Sequence, residues 1–121
     1  MQESKETAPQ GVDKFLGVQV RGRYVQFKIS DGKISVGKNA AELLKLLGSE
    51  EMPLWKFIEN NHFKTKRVYP LIFKMSKEGL IELANNGLKH GKTIKLTNLG
   101  QKIKGLLVNY EFKQNGRVVR K

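Results

Sequence analysis

Apolar and polar side chains alternate along residues 17–36. The apolar positions are Val18, Val20, Val25, Phe27, Ile29, Ile34 and Val36. A period of two is typical of strands that bury one face, and Arg21-Gly22 and Asp31-Gly32 lie where tight turns would join three strands. We therefore predict a short antiparallel β-meander within residues 13–37, preceded by a polar, disordered leader over residues 1–12.

The second face of the predicted meander is basic. Its side chains are Arg21, Arg23, Tyr24, Gln26, Lys28 and Lys33. Two interpretations are open. The outer face of a half-buried sheet is often charged and solvated, and no partner is then needed to explain it. Alternatively, Arg21, Arg23 and Lys28 contact the backbone of a nucleic acid.

From Asn39 onwards the apolar period becomes helical. Asn39 and Glu42 fit an N-cap and its capping-box partner, which predicts a helix over residues 40–47. A second helix is predicted after Pro53 and continues to about Asn60. The predicted core side chains of these two helices are Leu43, Leu44, Leu46, Leu47, Leu54, Trp55, Phe57 and Ile58.

The stretch KRVYPLIFKMSKEGLI, from Lys66 to Ile81, predicts a helix that ends in a strand. Thr65 fits the N-cap of this helix, Pro70 falls near its first turn, and Gly79 ends it. Phe73 points away from the core, towards the meander or a partner subunit. The core face consists of Val68, Leu71, Ile72 and Met75, which recur at helical spacing.

A hairpin and a fourth helix are predicted next. Strand signals at Leu80-Ile81 and at residues 93–96 flank a polar loop over residues 85–92. Thr97 fits the N-cap of the fourth helix. The apolar stripe of that helix, which forms either core or a dimer seam, consists of Ile103, Leu106, Leu107 and Tyr110. Residues 113–121 are basic without an acid and form an extension or an edge strand.

At these residues the sequence resembles a known family. Val68-Tyr69-Pro70-Leu71, Glu78-Gly79-Leu80-Ile81 and Leu96-Thr97-x-x-Gly100 are similar to the recognition helix, wing and final-helix start of winged helix-turn-helix regulators. The PadR group is the nearest match, and the MarR-like regulators are the next. The resemblance covers residues 38–110. It implies an α+β fold, with a winged helix-turn-helix domain of about four helices and a two-stranded wing at residues 38–112, between the meander and the basic tail at residues 113–121.

The resemblance also implies a function and a site. The chain would be a sequence-specific double-stranded DNA-binding protein, a transcriptional regulator with its recognition helix in the major groove and its wing on the flanking backbone. The recognition-helix residues would be Lys64, Thr65, Lys66, Arg67, Tyr69 and Lys74, and the wing residues Lys89, His90 and Lys92. Arg67 is expected to bind guanine bidentately, and the lysines are expected to hold phosphates. An ordinary flexible loop at the wing tip and a homodimer as the active form are both left open.

The formal charge of +12, from 23 basic and 11 acidic side chains, favours a polyanionic partner. An acidic protein partner, or a charge that only maintains solubility, would give the same balance.

The second hypothesis is accordingly a winged-helix interaction module of the transcription, ribosomal or chromosome machinery, which binds protein or structured RNA. A monomer without preference for duplex DNA over RNA would favour that hypothesis.

The sequence offers no set of residues for catalysis or metal binding. It has no cysteine and two histidines without metal-ligand spacing, so we expect no enzymatic activity, no metal and no cofactor. Residues 32–39 nearly match a phosphate-binding loop, but Asn39 stands where a magnesium-binding hydroxyl is needed.

No apolar run reaches the length of a membrane span. We therefore expect a cytoplasmic, nucleoid-associated protein.

Overall fold

The computed structural model of the chain describes residues 15–85 and 91–121. The predicted leader at residues 1–12 lies outside them, as do Lys89 and His90 of the predicted wing. The described residues form four helices and eight strands, which makes the fold α+β, as predicted. The strands belong to two three-stranded antiparallel sheets and one two-stranded ribbon.

The first sheet is the predicted meander. It consists of β1 (Phe15–Arg21), β2 (Tyr24–Ile29) and β3 (Gly32–Gly37), in that order. The first tight turn contains Gly22, whose φ of +67° lies in the left-handed region that glycine adopts without strain. The inward face buries Val25, Phe27, Ile34 and Val36. The alternation of apolar residues thus placed this sheet correctly, because only one of its faces is covered by the rest of the chain.

Strand β3 continues directly into helix α1 (Lys38–Leu46), and this shifts the predicted start of the helix. Gly37 is the N-cap and makes no side-chain capping bond, so the predicted capping box of Asn39 with Glu42 is wrong. Asn39 already lies in the first helical turn. The prediction that Leu46 is core is also wrong, since its side chain is 49% exposed. The buried leucines here are Leu43, Leu44 and Leu47.

Helix α2 (Leu54–Asn60) follows a two-residue strand that the sequence did not predict, β4 (Met52–Pro53). The helix buries Leu54, Phe57 and Ile58, which are spaced i, i+3 and i+4. Trp55 is 51% exposed, so the prediction of a core tryptophan is wrong. Trp55 projects about 100° away from Leu54 around the helix, onto its solvent side.

Helix α3 (Thr65–Lys77) follows a short turn in which His62 adopts a positive φ of 55°. Its N-cap is Lys64 rather than the predicted Thr65, which is the first helical residue. Pro70 consequently lies inside the helix, in its second turn rather than its first. The predicted core face is confirmed for Val68, Ile72 and Met75, which are buried, whereas Leu71 is half-buried. Gly79, with a φ of +83°, follows the helix end as predicted.

The predicted hairpin is confirmed as β5 (Ile81–Ala84) paired with β6 (Thr93–Leu96). Ile81 lies opposite Leu96, and Ala84 lies opposite Thr93. Strand β4 pairs with the other edge of β6, which gives the second sheet the order β4-β6-β5. The hairpin is thereby tied to the start of α2, which immediately follows β4.

Helix α4 (Asn98–Leu107) begins at a tight corner against the end of α3. Thr97 is its N-cap, as predicted, and the Thr97 hydroxyl accepts a hydrogen bond from the Gly100 N–H at 3.0 Å. The Thr97 N–H donates to the Leu80 carbonyl at 3.1 Å. A Cβ on Gly100 would lie 2.0 Å from that same Leu80 oxygen. The spacing Leu-Thr-x-x-Gly therefore has a physical cause. Thr97 caps α4 by accepting from the N–H three residues later, and that residue must be glycine because α4 passes close to Leu80.

The chain ends in a hairpin of β7 (Tyr110–Phe112) and β8 (Val118–Arg120). Of the two forms left open for residues 113–121, the structure has a strand rather than a simple extension. The stripe of α4 is core in the single chain, since Ile103, Leu107 and Tyr110 are buried. These residues and Val118 belong to the same hydrophobic cluster as the inward face of the meander.

Candidate nucleic-acid interface

The exposed side of α3 is rich in basic side chains. Successive residues of a helix are rotated by about 100°, so the side opposite the buried stripe is set by sequence spacing. We define the basic face of α3 as its exposed cations and the lysine that caps it, namely Lys64, Lys66, Arg67, Lys74 and Lys77. Thr65 and Pro70 are exposed beside them. One helix thus anchors itself in the core by one side and presents positive charge on the other.

Most of this charge is not neutralised by the residues that the structure describes. Among the described residues, no acidic group forms an ion pair with Lys64, Lys66 or Arg67. Lys74 differs, because its ammonium lies 3.0 Å from the carboxylate of Glu78 one turn further on. Its role as a phosphate contact would therefore compete with an existing ion pair, in which the lysine side chain is 57% exposed and the glutamate side chain 20% exposed.

The first turn of α3 concentrates this charge further. It holds no acidic residue, and its N-cap makes no side-chain hydrogen bond. The first N–H groups of a helix lack partners within the helix, and the macrodipole makes this end positive. Cations at this end cost the helix about 0.3–1 kcal/mol each, whereas an anion bound there is favoured. Lys64, Lys66 and Arg67 therefore occupy a place suited to binding anions rather than to stabilising the helix.

Two aromatic side chains lie on the flank of α3. The rings of Tyr69 and Phe73 are stacked, with their centroids 6.0 Å apart and their planes inclined by 20°. Phe73 is 46% exposed, and Tyr69 is half-buried against the core. Phe73 thus contacts its own helix, on the side away from the core stripe, as its spacing indicated. Tyr69, predicted as a DNA contact, is the least accessible of the recognition-helix residues.

Arg67 lies between two shallow grooves that run from α3 to the start of α1. One groove is lined by Asn39, Lys66, Arg67, Pro70, Leu71 and Lys74. The other is lined by Asn39, Glu42, Leu43, Phe63, Lys64, Arg67, Val68 and Leu71. Asn39 and Arg67 are common to both, so a guanidinium and an amide side chain line the same stretch of surface. Glu42 lines the second groove.

The wing residue that the structure describes, Lys92, is exposed at the base of the β5–β6 hairpin. Its backbone carbonyl accepts a hydrogen bond from the Leu54 N–H at 2.9 Å. This bond fixes Lys92 beside the first residue of α2. The predicted contacts Lys89 and His90 lie outside the described residues.

The outer face of the meander is basic, as predicted. Lys28 lies directly opposite Lys33 on neighbouring strands, an arrangement that is unfavourable without an anion nearby. Arg21 and Lys28 are exposed. Arg23 is exposed as well, but its Nη1 donates a hydrogen bond to the Asn115 carbonyl at 2.8 Å. Of the three predicted backbone contacts, Arg23 thus holds another part of the chain.

No family model, curated protein or solved structure matches this chain. Within residues 15–85 and 91–121, no group of three or more metal-ligating side chains could hold an ion. The same residues contain no helix that is long and apolar enough to cross a membrane.

Two cations near the site were not among the predicted contacts. Lys77 lies on the exposed side of α3, eleven residues after Lys66 and therefore near the same angle around the helix, so sequence spacing could have found it. Lys38 adjoins Asn39 at the start of α1. Its position near α3 depends on how α1 packs, and no local pattern in the sequence carries that information.

Proposed function

We propose that this protein binds double-stranded DNA in a sequence-specific manner, as a transcriptional regulator whose helix α3 enters the major groove. The observation that carries the proposal is the basic face of α3, which is exposed and backed by a buried apolar stripe and which has one acidic partner, Glu78, among the described residues. A helix needs both properties to read DNA, because its inner side must be fixed while its outer side meets phosphates and bases.

The arrangement of the elements supports a winged helix-turn-helix domain at residues 38–112. Helix α1, strand β4, helices α2 and α3, and strands β5 and β6 follow one another in the chain, and the three strands form one sheet. Helices α2 and α3 are joined by a four-residue connection, as in a helix-turn-helix. The β5–β6 hairpin would be the wing. This order agrees with the resemblance to PadR-like and MarR-like regulators.

Each residue of the site has a proposed role. Arg67 would bind guanine bidentately, because it is exposed in the first turn of α3 and lacks an ion-pair partner among the described residues. Lys64, Lys66 and Lys74 would hold phosphates, and Thr65 would donate to a phosphate or base at the start of the helix. Lys92, with Lys89 and His90, would contact the flanking backbone through the wing.

The Arg67→Ala variant tests this binding mode. The measurement is fluorescence anisotropy on a duplex selected from a random-sequence pool by the wild-type chain. Losing a bidentate base contact should weaken binding by about 1–3 kcal/mol, or roughly 5- to 150-fold, and should relax the preference at one base pair. The charge-matched control is Lys102→Ala, exposed on α4, which should keep the sequence preference. Unchanged affinity and preference in Arg67→Ala would show the binding mode to be wrong.

A second candidate function is a winged-helix interaction module that binds protein or structured RNA. The basic outer face of the meander and the basic residues 113–121 favour it, because both lie outside the winged-helix domain proposed at residues 38–112. A homodimer would not use the apolar stripe of α4, because Ile103, Leu107 and Tyr110 are buried in the chain's own core.

A further inference from the structure

The C-terminal hairpin ends in a tight turn that presents basic residues. The Lys113 N–H donates to the Arg117 carbonyl at 2.7 Å, and the Gly116 N–H donates to the Lys113 carbonyl at 2.8 Å. Gly116 has a φ of +91°, which this turn requires and glycine accepts. The Arg117 N–H donates to the Asn115 side-chain oxygen at 2.9 Å. The turn is therefore a defined structure held by its own backbone.

Cations from two distant parts of the chain fasten this turn to the rest of the molecule. Arg23, in the first turn of the meander, donates to the Asn115 carbonyl at 2.8 Å. Lys38, at the start of α1, donates to the Gln114 carbonyl at 3.4 Å. The Val118 N–H also donates to the Gly22 carbonyl at 2.7 Å. The C-terminal turn, the meander turn and the start of α1 thus meet in one place.

The charge gathered there is strongly positive. The exposed cations are Arg21, Arg23 and Arg117 together with the half-exposed Lys38, and we call this group the hairpin cluster. Among the described residues, no acidic side chain forms an ion pair with any member of the cluster. Two other cations of the hairpin are engaged. Lys113 lies 3.6 Å from Glu111, and Arg120 donates to the Tyr110 hydroxyl, a bond that raises the pKa of the Arg120 guanidinium.

The hairpin cluster is continuous with the basic face of α3. Asn39 follows Lys38 directly in the chain and lines both grooves beside Arg67. A path of exposed polar and basic groups therefore leads from Lys66 and Arg67, across the start of α1, to the turn of the C-terminal hairpin. Residues separated by up to 92 positions in the sequence contribute to it.

We infer that the hairpin cluster is a second contact region for the phosphate backbone of the same duplex, next to the segment that α3 reads. The inference rests on the proposed function. Phosphates are the chemistry that such a group of cations recognises, since arginine and lysine neutralise them without regard to base sequence. The bonds of Arg23 and Lys38 to backbone carbonyls orient these two side chains, and neither charge has an acidic partner in the described part of the chain.

The double variant Arg21→Ala, Arg117→Ala tests the second region on the full chain. Both side chains are exposed, and the backbone bonds of Arg117 survive the substitution. The measurement is anisotropy titration of a fluorescein-labelled duplex at several salt concentrations. The slope of log affinity against log salt should become shallower by about 0.9 per lost phosphate contact, or about 1.8 for two, and affinity at physiological salt should fall roughly 10-fold or more.

The outcomes separate this inference from the proposed function. The loss should be equal on a selected duplex and on a random one, because phosphate contacts carry no sequence information. The matched control removes the same charge with Lys102→Ala, Lys45→Ala on α4 and α1. One contrary result is that the hairpin variant keeps the wild-type salt slope while Arg67→Ala binds the selected duplex more weakly than the wild type does. That result would overturn the second contact region and leave the proposed function standing. No binding of duplex DNA by the wild type would overturn both.

Discussion

Lys66 shows at the scale of one residue how function and stability oppose each other. It lies in the first turn of α3, where the helix dipole is positive and no acid offsets it. The same place is favourable for a bound phosphate. A side chain that destabilises the free protein and would stabilise the complex is typical of a binding site.

The substitution Lys66→Glu should therefore change stability and binding in opposite directions. The carboxylate should stabilise α3 by about 1 kcal/mol and raise the thermal midpoint by about 4 °C, as measured by circular dichroism. Affinity for duplex DNA should fall more than 10-fold, since a phosphate contact becomes a repulsion. The control is Lys102→Glu, which makes the same charge change near the middle of α4, away from the positive end of the helix dipole. A lower midpoint for Lys66→Glu, or full DNA affinity, would contradict this account of the first turn.

The burial of a residue could be predicted from the sequence where few of its neighbours in the chain are apolar. The residues Val68, Ile72 and Met75 lie among charged residues, so their helical spacing was enough to identify them as the buried side of α3. Around Trp55 almost every neighbour is apolar, and packing alone selects which of them face inward. Leu46 was misplaced for the same reason.

At the scale of elements, the corner between α3 and α4 determines how the reading helix is held. Thr97 caps α4 and its hydroxyl donates to the carbonyls of Gly79 and Leu80, while Gly100 lets α4 approach Leu80 closely. The local signals for this corner are strong, which is why the helix end, the hairpin and the final cap were all predictable. Strand β4 was not, because its two residues form a strand only by pairing with β6, about 40 residues away in the chain.

Gly100→Ala should be the most damaging small substitution at this corner. The added methyl would meet the Leu80 carbonyl oxygen at 2.0 Å, which requires the backbone to move, and should lower the free energy of unfolding by about 1–3 kcal/mol or more. Gly105→Ala, in the same helix, meets no atom within 4 Å and should raise that free energy by about 0.5–1 kcal/mol. Urea denaturation followed by circular dichroism measures both. Equal effects of the two substitutions would contradict the close approach of α4 to Leu80.

At the scale of the whole molecule, the sequence supplies the amount of charge and the structure supplies its arrangement. The formal charge of +12 is visible in the composition and predicts a polyanionic partner. The hairpin cluster is not visible there, since Arg23 and Lys38 reach the C-terminal turn across 92 and 76 residues of sequence. Long-range contacts of this kind follow from the packing of the meander against the hairpin, for which no local pattern exists.

The central claim is that this surface binds duplex DNA, and titration of three nucleic acids tests it most directly. A random DNA duplex, the matching single strand and an RNA duplex are each titrated by fluorescence anisotropy at several salt concentrations, with the mass of the complex measured by size exclusion. We predict a preference for duplex DNA, with log affinity falling against log salt at a slope of about −0.9 per phosphate contacted and roughly four to eight contacts. No binding, or equal binding to all three, would contradict the account and make the basic surface the docking face of an interaction module.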